Sequence, residues 1–342
     1  MQKQSAYSMA GVDIDNKMTA LRAVKKMVKT TVVPGQICGI GSFGGMFASP
    51  GKEMALIAST DGVGTKLKAA VMAGRHDTIG QDLVNHCVND ILVHGAKPLF
   101  FLDYFATAKF DAKIFNAVAA GLCRACRENH CALLGGETAE MPGLYPQGEY
   151  DLVGTIVGAV ERKKIITGKN IRPGDIIAGL PSSGLHTNGY SLARKIIFER
   201  EKLKTNDVLP GTGKSVAENL LAVHRSYLRP VTALMKKVKI QGMAHITGGG
   251  FPDNVPRILP GNVDAVFDLS AWTPPPVFRF LQERGHVSRE EMYRVFNMGI
   301  GLVVIIRPAE YPKTLKILRK AGVAARKIGW ITKGRKKVRL VN

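Results

Sequence analysis

The sequence predicts an α/β protein built as two domains. Two observations carry this: strand-like and helix-like segments alternate along most of the 342 residues, and a charged, turn-forming stretch at 161–175 interrupts that alternation near the middle. The length suits two domains of ordinary size, and a 45% hydrophobic content supplies a core for each. We therefore expect one domain over 1–165 and a second over 170–342.

In the first part, Met18, Leu21, Val24 and Val28 recur at helical spacing, so 16–29 reads as an amphipathic helix. A glycine-rich stretch (35–45) follows Pro34, and then a buried strand at 54–58 runs into Ser59-Thr-Asp-Gly-Val-Gly-Thr-Lys66. Residues 77–94 read as a helix, because Ile79, Leu83, Val84, Cys87, Val88 and Ile91 share a face and Gly95 can end it. A strand at 99–102, a helix at 111–129, a strand at 131–134 entering an acidic turn at 135–140, and a strand at 152–160 complete the alternation.

The second part offers a strand at 176–180, a helix near 190–201, one long helix at 216–238, a glycine turn at Thr247-Gly-Gly-Gly250 and a strand at 302–306.

A formal net charge of +21 attracts phosphorylated metabolites, nucleic acid or acidic membrane without choosing among them. Aromatics are only 7% and form no stacking motif, which disfavours a nucleic-acid reader, and the basic run 333–339 reads as a solvated tail. No apolar run approaches the roughly 18 residues that span a bilayer, and the polar N-terminus lacks a secretory core, so a cytoplasmic protein with no membrane partner is expected. The five cysteines are odd in number and scattered, as for reduced structural thiols.

Gly39-Ile-Gly-Ser-Phe-Gly44 spells a dinucleotide fingerprint but lacks a following helix, so it is either a phosphate-approach loop or a flexible turn. Asp61-Gly-Val-Gly-Thr-Lys66 packs a carboxylate, two glycines, a hydroxyl and a lysine at a strand end. That is the vocabulary of a phosphate-and-metal site, and equally of a tight Asp-Gly turn. Asp82, Asp90 and Glu137 put acids where apolar residues surround them, which either holds a hard cation or caps and solvates. Ser182-Ser-Gly-Leu-His186-Thr-Asn-Gly-Tyr-Ser191 lies between a strand and a helix, with groups suited to an anion, and His186 is either a residue that moves a proton near neutral pH or a plain hydrogen-bonding one.

Taken in order, these segments resemble the phosphoribosylformylglycinamidine cyclo-ligase family, also called aminoimidazole ribonucleotide synthetases. The likeness runs through Thr60-Asp-Gly-Val-Gly-Thr-Lys66, Cys87-Val-Asn-Asp-Ile91, Gly135-Gly-Glu-Thr-Ala-Glu-Met-Pro-Gly143, His186-Thr-Asn-Gly-Tyr-Ser191 and His245-Ile-Thr-Gly-Gly-Gly-Phe251. It departs from the family's pattern at Leu185 and Thr187.

The resemblance implies a homodimer whose N-terminal domains contribute strands to an intersubunit β-barrel, with a C-terminal α/β domain beside each. It implies ATP, Mg2+ and a ribonucleotide substrate, whose imidazole ring is closed through an iminophosphate in purine biosynthesis. It further implies Asp61, Asp90 and Glu137 as metal ligands, and Lys25, Gly62, Gly64, Thr65 and Lys66 beside those acids around ATP. His186 and Lys25 are the implied catalytic residues, and Ser183, Gly184, His186, Asn188, Gly189, Thr247, Gly248 and Gly249 the implied substrate contacts.

Overall fold

The computed structural model describes residues 36–38, 45–49 and 51–342. The expected helix at 16–29, Lys25 and most of the glycine-rich stretch lie outside the described residues.

The first domain is a six-stranded curled sheet, a half-barrel, with helices on one face. Its strands are β1 (Gln36–Cys38), β2 (Gly45–Ala48), β3 (Met54–Gly62), β4 (Lys97–Thr107), β5 (Ala132–Glu140) and β6 (Tyr150–Glu161). They run β1-β2-β3-β6-β4-β5, antiparallel except for the β4–β5 pair. The stretch 135–140, expected as a turn, continues β5, because pairing with β4 extends from Ala132 to Glu140 and absorbs the glycines through a register shift. On β3, Ala55, Ile57 and Ser59 face the helices, while Met54, Leu56 and Thr60 face the open side. Phe47 pairs with Leu56 on that open side, and Phe47, Met54 and Leu102 stay exposed there.

Helix α1 (Lys66–Ala73) packs chiefly on helices of the second domain, while α2 (Ile79–Leu92) and α3 (Ala112–Glu128) cover the sheet's other face. Asp111 starts α3 by accepting from the amides of Lys113 and Ile114. A Cβ on Gly80 would lie 2.3 Å from Val118 O, so α2 and α3 cross with backbones touching. All fourteen residues of α2 are buried, although it carries Asp82, Asn85, His86, Asn89 and Asp90. Its apolar face lies on the sheet. Its polar residues, spaced three and four apart, form a second stripe that meets the other domain instead of water.

The second domain holds β7 (Ile176–Pro181), a short ribbon of β8 (Val208–Leu209) with β9 (Lys214–Ser215), β10 (Gly242–His245), β11 (Val263–Asp268), β12 (Ile300–Ile306), β13 (Arg326–Lys333) and β14 (Val338–Val341). Its main sheet runs β10-β12-β7-β13-β11-β14, with only β11 and β14 parallel. Around it lie α4 (Tyr190–Arg194, extended as a wider helix over Lys195–Arg200), α5 (Val216–Leu220), α6 (Leu228–Met235), α7 (Gly250–Asn254), α8 (Pro276–Gly285), α9 (Arg289–Val295) and α10 (Tyr311–Lys320).

The single helix expected at 216–238 is two helices. Four groups of α2 break it by taking the backbone bonds a continuous helix would need. Asp82 accepts from His224 N (2.7 Å), Asn85 donates to His224 O (2.7 Å), and Asn89 donates to Arg225 O (2.8 Å) while accepting from Tyr227 N (2.9 Å). Pro230 then sits in the first turn of α6, where it costs no hydrogen bond.

The basic run 333–339 is not a loose tail. It turns around Asp264, which accepts from the amides of Arg335 and Lys337 and pairs with Arg339 at 2.6 Å. Cys87, Cys123, Cys126 and Cys131 are free thiols. No helix among the described residues is long and apolar enough to cross a membrane.

Candidate active site

The polar stripe of α2 and the loops of the second domain enclose a nearly closed circuit of side chains. Asp61 Oδ2 lies 2.9 Å from His86 Nε2, and His86 Nδ1 lies 2.6 Å from Thr187 Oγ1. Thr187 Oγ1 is 3.3 Å from His224 Nδ1, and His224 Nε2 is 3.1 Å from His245 Nε2. His245 Nδ1 reaches Asp90 Oδ1 at 2.8 Å, and Asp90 Oδ2 returns to His86 Nε2 at 3.7 Å. Three of these residues belong to each domain, so the circuit exists only when the two are docked.

The electrostatics divide the histidines into one cation and three neutral rings. Burial works against a proton on His86, but Asp61, Asp90 and Asp82 together outweigh it and push its pKa up to about 9. Burial likewise works against charge on Asp61, yet His86 and the Gly62 amide hold that carboxyl down at about 2. His224 and His186 are held well below the ordinary histidine value by burial and by neighbouring positive charge. Burial also lowers His245, against the pull of Asp90.

These charge states allow one direction of donation: protonated His86 donates to Thr187, whose hydroxyl donates to His224 Nδ1, then His224 Nε2–H donates to His245 and His245 Nδ1–H to Asp90. The Asn89 amide, 3.2 Å from His224 Nε2, can only donate and so favours the other His224 tautomer. Such a chain can pass a proton between an acid on β3 and an acid on α2. Asp61 is its door, because its side chain keeps 45% of its surface exposed whereas the Asp90 side chain keeps 8%.

The 182–191 loop enters the site in a left-handed turn at His186 (φ 61°). Ser183 N–H donates to His186 Nε2 at 3.2 Å, which leaves the ring proton on Nδ1. That Nδ1 is buried without a partner and lies against Gly301, where a Cβ would fall 2.5 Å from His186 Cε1. Proton transfer by His186 was the expectation; neither of its nitrogens faces open space, and the ring instead stacks on His224 with centroids 3.9 Å apart.

Asn188 keeps a buried side-chain amide nitrogen with no partner, and its Oδ1 adjoins Gly248. Asn254 donates to the carbonyls of Thr247, Gly248 and Gly250, drawing them to one side of the glycine turn. Ser183 Oγ is bound to Val223 O, and Gly184 O accepts from Ser182 and Asn297. Gly189 (φ 78°) and Gly249 (φ 91°) occupy turns where a Cβ would strike Phe296 and Asp253.

The Asp61–Lys66 segment is divided in its tasks. Asp61 faces the histidines; Gly62 donates its amide to Asp61, and Gly64 makes a left-handed turn in open space. Thr65 Oγ1 meets Ser191 Oγ across the domains at 3.0 Å. Lys66, expected beside a phosphate, is wholly buried, with its ammonium set among Asp82, Ala222 O and His186 O.

Glu137 is not brought to Asp61 and Asp90. It pairs with Tyr104, which pairs with Val153, which pairs with Gly62, so it faces the sheet's open side about 14 Å away by strand spacing, while Asp61 faces the helices. His86, His224 and His245 were missed as a group, as was Arg257, an exposed residue whose guanidinium lies in the field of Asp90, Asp253 and Asp61. The one signal for His86 was its place on the polar stripe of α2, four residues before Asp90.

Residues 44–160 match the family model for the N-terminal domain of AIR synthase related proteins, and residues 172–342 match its C-terminal counterpart. The chain is 47% identical to the phosphoribosylformylglycinamidine cyclo-ligase of Alkaliphilus metalliredigens, covering 97% of this chain and 96% of that one. It is 50% identical to those of Trichlorobacter lovleyi and Burkholderia cenocepacia, covering 95% of this chain and 94% and 93% of theirs. Among solved structures, thiamine-monophosphate kinase from Stenotrophomonas maltophilia aligns with a TM-score of 0.63 at 17% identity (92% and 93% coverage). The hydrogenase maturation protein HypE in complex with ATP aligns at 0.60 and 20% (83% and 81%). At such identities these two speak for the fold alone.

Proposed function

We propose that this chain, which belongs to the phosphoribosylformylglycinamidine cyclo-ligase family, carries out its chemistry in the acid–histidine circuit between its domains. The enzyme is an ATP-dependent carbon–nitrogen ligase that closes formylglycinamidine ribonucleotide to 5-aminoimidazole ribonucleotide in purine biosynthesis. The observation that carries the site assignment is the unbroken path from half-exposed Asp61 through His86, Thr187, His224 and His245 to buried Asp90.

The formyl oxygen is a poor leaving group. Transfer of the ATP γ-phosphoryl to it gives an iminophosphate and ADP, and attack by the ribosyl-bearing nitrogen on the same carbon expels phosphate. Protons leave nitrogen as the ring closes. Asp61, the half-exposed end of the circuit, and the chain behind it through His86 are placed to take them up.

Of the expected metal ligands, Asp61 would hold Mg2+, since its half-exposed carboxylate can share the ion with phosphate oxygens and water, whereas Asp90 is buried with its oxygens on His245 and Ser59 and His86 lies between the two acids. When bound there it supplies charge to offset the phosphates. Asn188 offers its spare N–H to the ribonucleotide beside the Thr247–Gly249 turn, and Lys25 carries over as a nucleotide-side residue.

The open side of the half-barrel supports a homodimer. It exposes Phe47, Met54 and Leu102, and every residue of edge strand β5, Leu134 and Glu137 included, is at least partly exposed. A second copy covering this face places Glu137 in the subunit interface, separate from its own Asp61.

The deciding test is incubation with formylglycinamidine ribonucleotide, ATP and Mg2+, following aminoimidazole product and ADP together. Folded protein that makes neither sinks the reading. An oxygen label on the formyl group should appear in inorganic phosphate, and an unlabelled phosphate rejects the iminophosphate route.

A further inference from the structure

We propose that Lys66 and Asp82 are positioning residues that clasp the acid-bearing loop of the first domain to the His186 and His224 segments of the second, and that Lys66 is not a phosphate ligand. This rests on the functional reading above and assigns a different task to the lysine of its most phosphate-like motif.

The geometry is specific. A lysine ammonium has three protons, and three acceptors surround that of Lys66: Asp82 Oδ2 at 2.8 Å, Ala222 O at 2.8 Å and His186 O at 3.1 Å. The remaining Asp82 oxygen accepts from His224 N at 2.7 Å. One ion pair therefore grips the second domain's backbone at His186, at Ala222 and at His224. Both side chains have no exposed surface, so no proton is left for a nucleotide unless the domains part.

His186 needs such a grip. Its φ of 61° is uncommon for a residue with a Cβ, and the conformation persists only where the surroundings enforce it. Besides Lys66, its carbonyl is approached by the Tyr190 hydroxyl at 3.1 Å, but that group has one proton and also faces Leu220 O at 2.5 Å. Lys66 is the donor with a proton to commit. The next residue, Thr187, joins His86 to His224, so the turn at His186 sets the span of the proton path.

The pair does not justify itself as a stabilising contact. Burial lowers the Lys66 pKa and raises that of Asp82 against their mutual attraction, the sign of two charges whose desolvation exceeds their pairing. What the pair supplies is a fixed geometry between the Asp61 loop and two histidines.

The test compares wild type with Lys66→Met/Asp82→Leu, which removes both charges together. A positioning role predicts a folded variant whose kcat falls at least about tenfold while the KM for ATP moves by less than about threefold. It also predicts displaced His186 ring NMR signals, identified by their loss in His186→Gln. A folded variant with unchanged kcat and unmoved His186 signals overturns the proposal, as does one whose KM for ATP rises more than about tenfold at constant kcat.

A second measurement needs no variant. In the intact protein the Lys66 ammonium NMR signal should be protected from exchange and unmoved by Mg-ATP, and a nucleotide-induced shift would identify a phosphate ligand. If wild type closes no ring, the functional reading fails by itself, and the His186 and Lys66 signals still decide the clasp.

Discussion

His86 Nε2 lies 2.9 Å from the Asp61 carboxylate and 3.7 Å from that of Asp90, so a protonated ring occupies the space between two of the acids expected to hold a metal. The two acids are close in space because the last residues of β3, Asp61 and Gly62, lie beside the helix that carries His86 and Asp90 one turn apart. A positive ring there keeps the Asp61 carboxylate ionised without a metal.

This ion pair gives stability a pH window. The His86 pKa is raised to about 9 from 6.5, so its contribution is complete below pH 6.5 and fades as pH climbs through 9. Asp61 is depressed from 3.8 to about 2, so its share is complete above 3.8 and fades as pH falls through 2. Thermal midpoints from pH 6 to 9.5 should fall in wild type more than in His86→Asn, whose curve should be flatter. Parallel curves would show that His86 does not carry the charge.

Neutralising either acid tests the placement of Glu137. Asp61→Asn removes the nearest anion from His86 and should lower its pKa by at least about one unit, the scale expected of one lost carboxylate neighbour. Glu137→Gln, on the other face of the sheet, should leave that pKa within about 0.3 unit, inside the screening of a distant exposed charge. Histidine NMR titration of metal-free protein reads both. An equal shift from Glu137→Gln would place that acid beside Asp61 after all.

Period and punctuation made the alternation of the first domain legible, since α2 and α3 show their apolar faces in sequence and Gly95 and Asp111 mark their ends. Asp61, Asp90 and the His186 loop were legible as chemistry, because acids and glycines sit where packing alone would not put them. The histidine circuit was not, as His86, His224 and His245 are far apart in the chain and meet only through docking of the domains. Lys66 was legible only in part for the same reason: a lysine after two glycines spells a phosphate loop locally, and only the opposing loop reveals the acceptors around its ammonium. The break between α5 and α6 is likewise tertiary, since four side-chain hydrogen bonds from α2 outweigh a continuous helical period.

The clasp ranks single and double variants. Lys66→Met leaves Asp82 charged, buried and without its cation, and should cost about 3–5 kcal/mol. Lys66→Met/Asp82→Leu removes both desolvated charges but strips the His224 amide and the Ala222 carbonyl of their partners, so it should cost less than the single variant, about 1–3 kcal/mol. Urea unfolding of the three proteins measures this. A double variant less stable than the single one would show that the pair is net stabilising.

Gly301 makes room for two site residues at once. A Cβ there would lie 2.2 Å from Tyr227 Oη and 2.5 Å from His186 Cε1, and neither ring is the free end of a flexible chain. Gly301→Ala should destabilise by about 1–3 kcal/mol through overpacking and should displace His186 from its stack on His224. Loss of ring closure with folding retained, together with shifted His186 NMR signals, is the expected pairing. An unaltered His186 signal would show that the turn yields elsewhere.

Asn188 separates binding from folding. Its side-chain nitrogen is buried without a partner, so the free protein bears the cost of an unmade hydrogen bond that a bound ribonucleotide could complete. Asn188→Ala should therefore leave the unfolding free energy within about 0.5 kcal/mol of wild type or raise it slightly, since no native bond is lost. The same change should raise the KM for the ribonucleotide by about tenfold, the equivalent of about 1.4 kcal/mol, with the KM for ATP held. Steady-state kinetics with each substrate varied in turn would show it. An increase confined to ATP would move Asn188 to the nucleotide side and the Thr247–Gly249 turn with it, because Asn188 Oδ1 adjoins Gly248.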